Sequence, residues 1–323
     1  MILKSEDKQF KLADDGQILW QADATNPLPG VPVGAIKKGE TLLKPVAEAN
    51  GDNLPEGQDK AAVQEKLQEW LDRYIHFSLE PLFRLTGGDD LSEQARSIAT
   101  QLQGALGILP RSALEDVIAG LDEEGRKGLR ARKVRMGPLL VFLPELNKPA
   151  AVKLRATLLT LWQDKPLPAQ VPKDGVVSFT VADKEIDPDY YRSIGYPVYG
   201  PRSIRVDMLD RVVCAVYDGA KDGKFKAEHK MAEWFGSNIL DLYAVLEAMG
   251  HTKIYDPAEE KAKEEAPVAP VIPEAVAEDV SSEVVAPVAP EVKAKPELAT
   301  FRLKRGKANE AAKPREPKKF EKK

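Results

Sequence analysis

Residues 59–83, DKAAVQEKLQEWLDRYIHFSLEPLF, decide the fold class. Val63, Leu67, Trp70, Leu71, Tyr74 and Ile75 recur at spacings of three and four, which places them on one face of an amphipathic helix. Pro81 lacks the N–H that a helix interior needs, so it kinks or restarts the helix before Leu82 and Phe83. The fifty residues upstream follow a different pattern. QFKL (9–12) and QILWQ (17–21) flank ADDG, and Asp15-Gly16 is a hairpin-turn pair. A second hairpin is expected from residues 33–36 and 41–46 around a Lys38-Gly39 turn, with NPLPGVPVG (26–34) as a loop.

Downstream, further helices are expected from DLSEQARSIATQL, where Asp90 and Glu93 suit a capping box, from Ser112 with Glu115 three residues on, and over 150–162. After residue 170 the character is mixed. Residues 176–181 read as a strand, and Asp187-Pro188 as a helix cap followed by proline at the first helical position. Gly195 is expected to end that short helix in a left-handed cap before strand-like 196–199. Residues 204–216 and 238–249 read as helices, the second followed by strand-like 252–255. The expected class is mixed α+β. A β-hairpin module (1–50) precedes a predominantly helical body (59–165) and an α/β part (170–256).

Composition adds two more segments. The chain has 323 residues, 43% hydrophobic and 30% charged, which is enough for one large or two small cores. The formal net charge of −4 hides a split: −5 over 1–256, −6 over 257–300 and +7 over 301–323. Residues 257–300 are rich in Pro, Ala, Val and Glu and hold no aromatic residue, so nothing offsets the entropy of ordering them; a linker is expected. Residues 301–323, FRLKRGKANEAAKPREPKKFEKK, read as a disordered basic tail. One cysteine, Cys214, rules out a disulfide framework and a multi-thiolate zinc site. The longest apolar stretch, near 138–143, is far shorter than the roughly 20 residues of a membrane span. The start, MILKSEDKQF, has acidic residues where a signal peptide has an apolar run. A soluble, cytoplasmic chain is expected.

No catalytic constellation emerges. The phosphate-binding pattern G-x-x-x-x-G-K-[ST] is missing: Gly223-Lys224 is followed by Phe225 and Gly306-Lys307 by Ala308. His76, His229 and His251 lack ligand spacing, and Cys214 in VVCAV reads as a small core hydrophobe. The carboxylates of ADKEIDPDYY (Asp183, Glu185, Asp187, Asp189) lack the calcium-loop pattern. Two basic features remain. RKGLRARKVR packs Arg126, Lys127, Arg130, Arg132, Lys133 and Arg135 into ten residues; if helical, Arg126, Arg130 and Lys133 share a face suited to a phosphate backbone. The alternative is a solvated face paired with Glu123 and Glu124. In the tail, Arg302, Lys304, Arg305 and Lys307 are expected to contact nucleic acid, with Phe301 and Phe320 stacking on bases.

DGQILW (15–20), GETLLKP (39–45), LSEQARSIATQLQGALGIL (91–109), VRMGPLLVFLP (134–144), LNKPAAVKLRATLLTLW (146–162) and YYRSIGYPVYGPRSIRVDMLDRV (190–212) occur in this order. The pattern resembles the C-terminal region of large bacterial DEAD/DEAH-box helicases, relatives of the helicase of the mitochondrial RNA degradosome. In that family two RecA-like motor domains come first and a Lys/Arg/Pro-rich tail often closes the chain. The motor has no counterpart here, so no ATP or magnesium residue is carried over, and no cofactor is expected for this chain. The resemblance implies an accessory role beside helicase motor domains in cis or in trans, with RNA, single-stranded RNA above all, as the partner. It also implies that Met1 is an internal start, a fragment edge or the start of a split gene. Two other readings stand beside it. One is a protein–protein adaptor docking a motor or nuclease through Trp70, Tyr74 or Trp234, with a solubilising tail; the other is an enzyme whose site matches no known motif.

Overall fold

Asp59 opens the first helix by accepting the Ala61 backbone N–H on its carboxylate, which satisfies one of the donors that a helix start leaves unpaired. Helix α1 (Lys60–Ser78) then turns Val63, Leu67, Trp70, Leu71 and Ile75 into the core, the stripe expected from their spacing. Pro81 occupies the first turn of α2 (Glu80–Thr86), where its missing N–H costs nothing. The computed structural model describes residues 2–51, 54, 59–88, 90–181, 187–258, 260 and 296–304. Among them the architecture is mixed α+β, with ten α-helices and four small antiparallel sheets. No described helix is long and apolar enough to cross a membrane.

Strands β1 (Phe10–Leu12), β2 (Gln17–Trp20), β3 (Val31–Thr41) and β4 (Lys44–Ala49) form a four-stranded meander. The first hairpin turns at Gly16, with φ of +84°, as expected of Asp15-Gly16. The second differs from expectation. Thr41 pairs with Lys44, so the turn is Leu42-Leu43, and Lys38-Gly39 lie within β3 where its register against β4 shifts. Glycine is required at 39 because a Cβ there would lie 1.9 Å from the Lys44 carbonyl oxygen. Strand β3 also begins inside the stretch read as loop, since Pro32 is tolerated beside a register shift between β2 and β3.

Helix α1 covers this sheet. Ile18, Val33, Ile36 and Ala47 join Leu67, Trp70 and Leu71 in one buried cluster that continues into the helical body through Ile98, Leu102, Leu129 and Leu154. The β module and the helical body therefore share a core. The body consists of α3 (Glu93–Gly104), α4 (Glu115–Ala119), α5 (Glu123–Ala131) and α6 (Pro149–Trp162). A three-stranded sheet, β5 (Ile108–Pro110), β6 (Arg135–Met136) and β7 (Leu140–Phe142), is set among them with β7 central.

The C-terminal part begins with β8 (Ser178–Thr180) and α7 (Pro188–Ser193). Asp187 caps α7 by accepting the Asp189 and Tyr190 N–H groups, and Gly195 follows at φ +95°. Strands β9 (Val198–Tyr199) and β10 (Arg202–Ile204) complete a sheet with β10 central. Helix α8 (Val206–Gly219), strand β11 (Lys224–Lys226), helices α9 (His229–Phe235) and α10 (Ile239–Ala248), and strand β12 (Thr252–Tyr255) follow. A last strand, β13 (Thr300–Arg302), lies between β11 and β12. This corrects the expectation of a disordered tail from residue 301. Phe301 is fully buried, and Leu298, Ala299 and Leu303 are buried with it, so this short segment fills the centre of a sheet. The stretches 261–295 and 305–323 lie outside the described residues, as do Asp183 and Glu185.

One buried cation joins the parts. Arg155 of α6 is 1% exposed, and its guanidinium donates to five backbone carbonyls: Ala151, Leu106, Leu146, Ser193 and Ile194. Among the described residues no carboxylate faces it, and burial pushes its pKa down to about 9, so it remains a cation at neutral pH. A Cβ on Gly195 would approach Arg155 Nη2 to 3.2 Å, so glycine leaves the guanidinium room as well as supplying the left-handed turn.

Two substitutions test these packing assignments by urea denaturation. Arg155→Met leaves five carbonyls without their donor and is expected to cost roughly 3–5 kcal/mol. Phe301→Ala empties the centre of the last sheet and is expected to cost roughly 3–5 kcal/mol. A tail-like Phe301 would leave stability unchanged.

Candidate nucleic-acid interface

Helix α5 carries half of the basic run: Arg126, Lys127 and Arg130. Asp122 caps it by accepting the Gly125 N–H, and Glu123 and Glu124 occupy its first turn, where the helix dipole favours negative charge. Gly125 and Leu129 face the core, which leaves Arg126, Lys127 and Arg130 exposed. The helix stops at Ala131, two residues short of the extent a continuous stripe to Lys133 needs. Lys133 follows in a left-handed conformation, φ +62°, with its N–H bonded to the Arg130 carbonyl. This turn still returns Lys133 to the same side. Arg126, Arg130, Lys133 and Arg135 line one open groove of about 660 Å³, with Val134, Met136, Pro144 and Glu145 completing its walls.

The six basic residues have different roles. Arg132 faces inward at 7% exposure, forks onto Asp90 at 2.5 and 3.1 Å, and donates to the Gly87 carbonyl at 2.6 Å. It is a structural clamp, which corrects its assignment to nucleic-acid contact. The same pair corrects the capping box: the Asp90 carboxylate is held by Arg132, below the usual carboxylate range, and the N-cap of α3 is Ser92 without a side-chain bond. Arg135 pairs with Asp210 at 2.8 Å, so its charge is largely matched. Lys127 lies 3.3 Å from Glu123 and does not line the groove. Glu145, the acidic wall residue, is paired with Arg84. Among the described residues Arg130 and Lys133 have no carboxylate partner, and the hydrogen bond of Arg126 goes to the Ile118 carbonyl. Among the described residues, three cations therefore face the groove without a carboxylate partner.

Elsewhere the placements vary. Arg302 lies on the solvent side of β13, and Lys304 follows it; Arg305, Lys307 and Phe320 lie outside the described residues. Phe301 is a core residue and has no face to offer a base. Trp70 is 2% exposed with Tyr74 stacked on it, so an adaptor surface does not include that indole. Trp234 is half-buried beneath Arg211, whose guanidinium lies 4.2 Å from the ring centre. Cys214 is half-exposed rather than core, 3.2 Å from Arg135 Nη2, and its thiol pKa is pushed up by burial and by Asp210. Among the described residues no three His, Cys, Asp or Glu side chains gather closely enough to hold a metal ion. A second groove, about 430 Å³ between β4 and α1, is lined by Glu65, Glu69 and Asp72, a sign of charge that repels a polyanion. Sequence reasoning missed Lys224 and Lys226, which flank buried Phe225; the alternation KFK was the available signal.

Comparison with protein-family models, with curated proteins and with solved structures finds no match to this chain.

His251 ties Lys304 to the fold and makes the last sheet sensitive to acid. Its ring is 7% exposed, lies edge-on to Phe225 with centroids 5.1 Å apart, and accepts the Lys304 backbone N–H on Nδ1 at 3.2 Å. Burial, and then the Lys304 charge, lower its pKa from the ordinary 6.5. The unfolded chain thus binds this proton first as pH falls, so the contribution of His251 to stability is full above about 6.5 and is lost as pH drops through the folded value. Thermal melts at pH 7.5 and 5.5 are expected to show a smaller acid-induced loss in His251→Gln, which keeps an acceptor but does not titrate.

Proposed function

We propose that this chain is a non-catalytic accessory region that binds single-stranded RNA through phosphate contacts, beside the ATP-dependent motor of a DEAD/DEAH-box helicase supplied in cis or in trans. The observation that carries the reading is the convergence of Arg126, Arg130 and Lys133 on one open groove with no carboxylate taking up Arg130 or Lys133 among the described residues. Unpaired cations in a groove attract a polyanion because each neutralised phosphate releases condensed counter-ions. An open cleft suits a polymer passing across it better than a small ligand, which favours enclosure on most sides.

The sequence supports the same partner. Residues 301–323 carry a charge of +7 and are joined covalently to the body, so RNA held there is present at high effective concentration near the groove. The helicase-like sequence pattern supports a motor as the neighbour; ATP and magnesium belong to that motor and not to this chain. We place the protein in the cytoplasm, a reducing setting suited to a chain whose single cysteine has no partner.

Fluorescence anisotropy with labelled single-stranded RNA tests the groove. Arg130→Glu in the full chain is expected to weaken binding about tenfold at low salt and to reduce the slope of log affinity against log salt by about 0.7 or more. Unchanged affinity in a variant with native circular dichroism would sink the groove as the contact surface.

A further inference from the structure

The last sheet has two chemically distinct faces. Phe225 and Phe301 point inward, their rings stacked at 5.6 Å, and Tyr243 meets Phe301 edge-on at 5.5 Å. The period-two alternation of strands then sends Lys224, Lys226 and Arg302 to the opposite face, and all three are exposed. The register is unusual in its charges. Lys224 lies directly opposite Arg302, and the far neighbour of Arg302 is Thr252. Adjacent strands run about 4.8 Å apart, and like charges set opposite each other destabilise a sheet. Among the described residues no carboxylate pairs with either Lys224 or Arg302.

Acidic groups gather at the other end of this face. Lys226 is matched by Glu297 at 2.8 Å, and the Tyr255 hydroxyl is hydrogen-bonded to Glu260, with Asp256 also near it. The uncompensated charge is therefore confined to the Lys224–Arg302 end. Lys221, the bridge partner of Lys224, and Lys304, two residues beyond Arg302, are exposed there as well. Asp222 of the intervening turn joins no ion pair among the described residues. Arg302 and Lys304 also lead directly into Arg305 and Lys307 in sequence.

We propose that this sheet end is a second phosphate-backbone site for a single-stranded nucleic acid, formed by Lys224, Arg302 and Lys304. An anionic strand laid across it supplies the counter-charge that the Lys224–Arg302 pair lacks. Lys304 lies two residues beyond the end of β13, so Arg302 and Lys304 can contact separate phosphates of an extended nucleic-acid strand. The site depends on β13 being seated, since Arg302 belongs to that strand. It rests on the proposed function in taking the same polymer and in using Arg302 and Lys304 of the basic segment; none of its residues lines the groove.

Two double variants of the full chain distinguish the sites, with labelled oligouridylate as the probe and circular dichroism as the folding check. Lys224→Gln with Arg302→Gln is expected to weaken binding about tenfold at low salt and to lower the salt slope by about 1.4, the value for two lost single-strand phosphate contacts. If that variant binds like the wild type while Arg126→Gln with Arg130→Gln binds weakly, the sheet site is overturned and the groove stands. If the sheet variant weakens and the groove variant does not, the sheet site stands and the groove reading fails. Photocrosslinking of 4-thiouridine RNA to the wild-type chain covers the case of a variant that misfolds. Adducts within 221–226 or 300–304 support the proposal, and adducts confined to other peptides overturn it.

Discussion

Arg155, whose guanidinium has no carboxylate partner among the described residues, ties the helical body to the C-terminal part. The five carbonyls that surround Arg155 come from its own helix, from Leu106 just past α3, from Leu146 in the 3₁₀ turn Pro144–Asn147 and from Ser193 and Ile194 at the end of α7. Most of these are carbonyls that a helix leaves unpaired at its C-terminus, where the partial charge is negative. The arrangement solves two problems at once: it satisfies buried acceptors, and it surrounds a buried cation with oriented dipoles. The helical body and the C-terminal part thereby share one polar anchor in an apolar setting of Val152, Leu154, Ala156 and Leu158. The proposed groove depends on the same anchor, because Pro144 and Glu145 form its wall and their turn ends beside Leu146.

The basic run illustrates how little a count of charges says about a surface. Six cations lie close in sequence, yet one is an internal clamp, one is matched by Asp210 and one pairs with Glu123. The pairs at the surface contribute little to stability in water. Their consequence is spatial: Glu123 takes up Lys127 away from the groove, and among the described residues Arg126, Arg130 and Lys133 are left to the groove without a carboxylate.

Local rules made much of the fold legible. The apolar stripe of α1, the Asp187 cap and the left-handed Gly195 follow from side-chain chemistry within a few residues of one another. The failures came from long range. Asp90 has the right residue type for a cap, but its partner Arg132 lies forty-two positions away. Leu42-Leu43 carries no turn signal; close backbone approach at Gly39 places the turn there. Arg155 in AVKLRATLL looks like a cation on an exposed helix face, and the carbonyls that receive it come from three other segments. The groove itself was partly legible. Arg126, Arg130 and Lys133 were expected together on helical periodicity, and they meet instead through a helix end and a left-handed turn.

The middle position of β13 also sets an order of events during synthesis. Strands β11 and β12 leave the ribosome well before residues 300–302, and neither can pair with the other across the space that Phe301 fills. Their facing edges and the apolar surface of Phe225 and Tyr243 remain uncovered until residues 300–302 have emerged. Closure of this sheet is thus a high-contact-order step, and the nascent chain carries an open strand edge from the emergence of β11 until residues 300–302 follow.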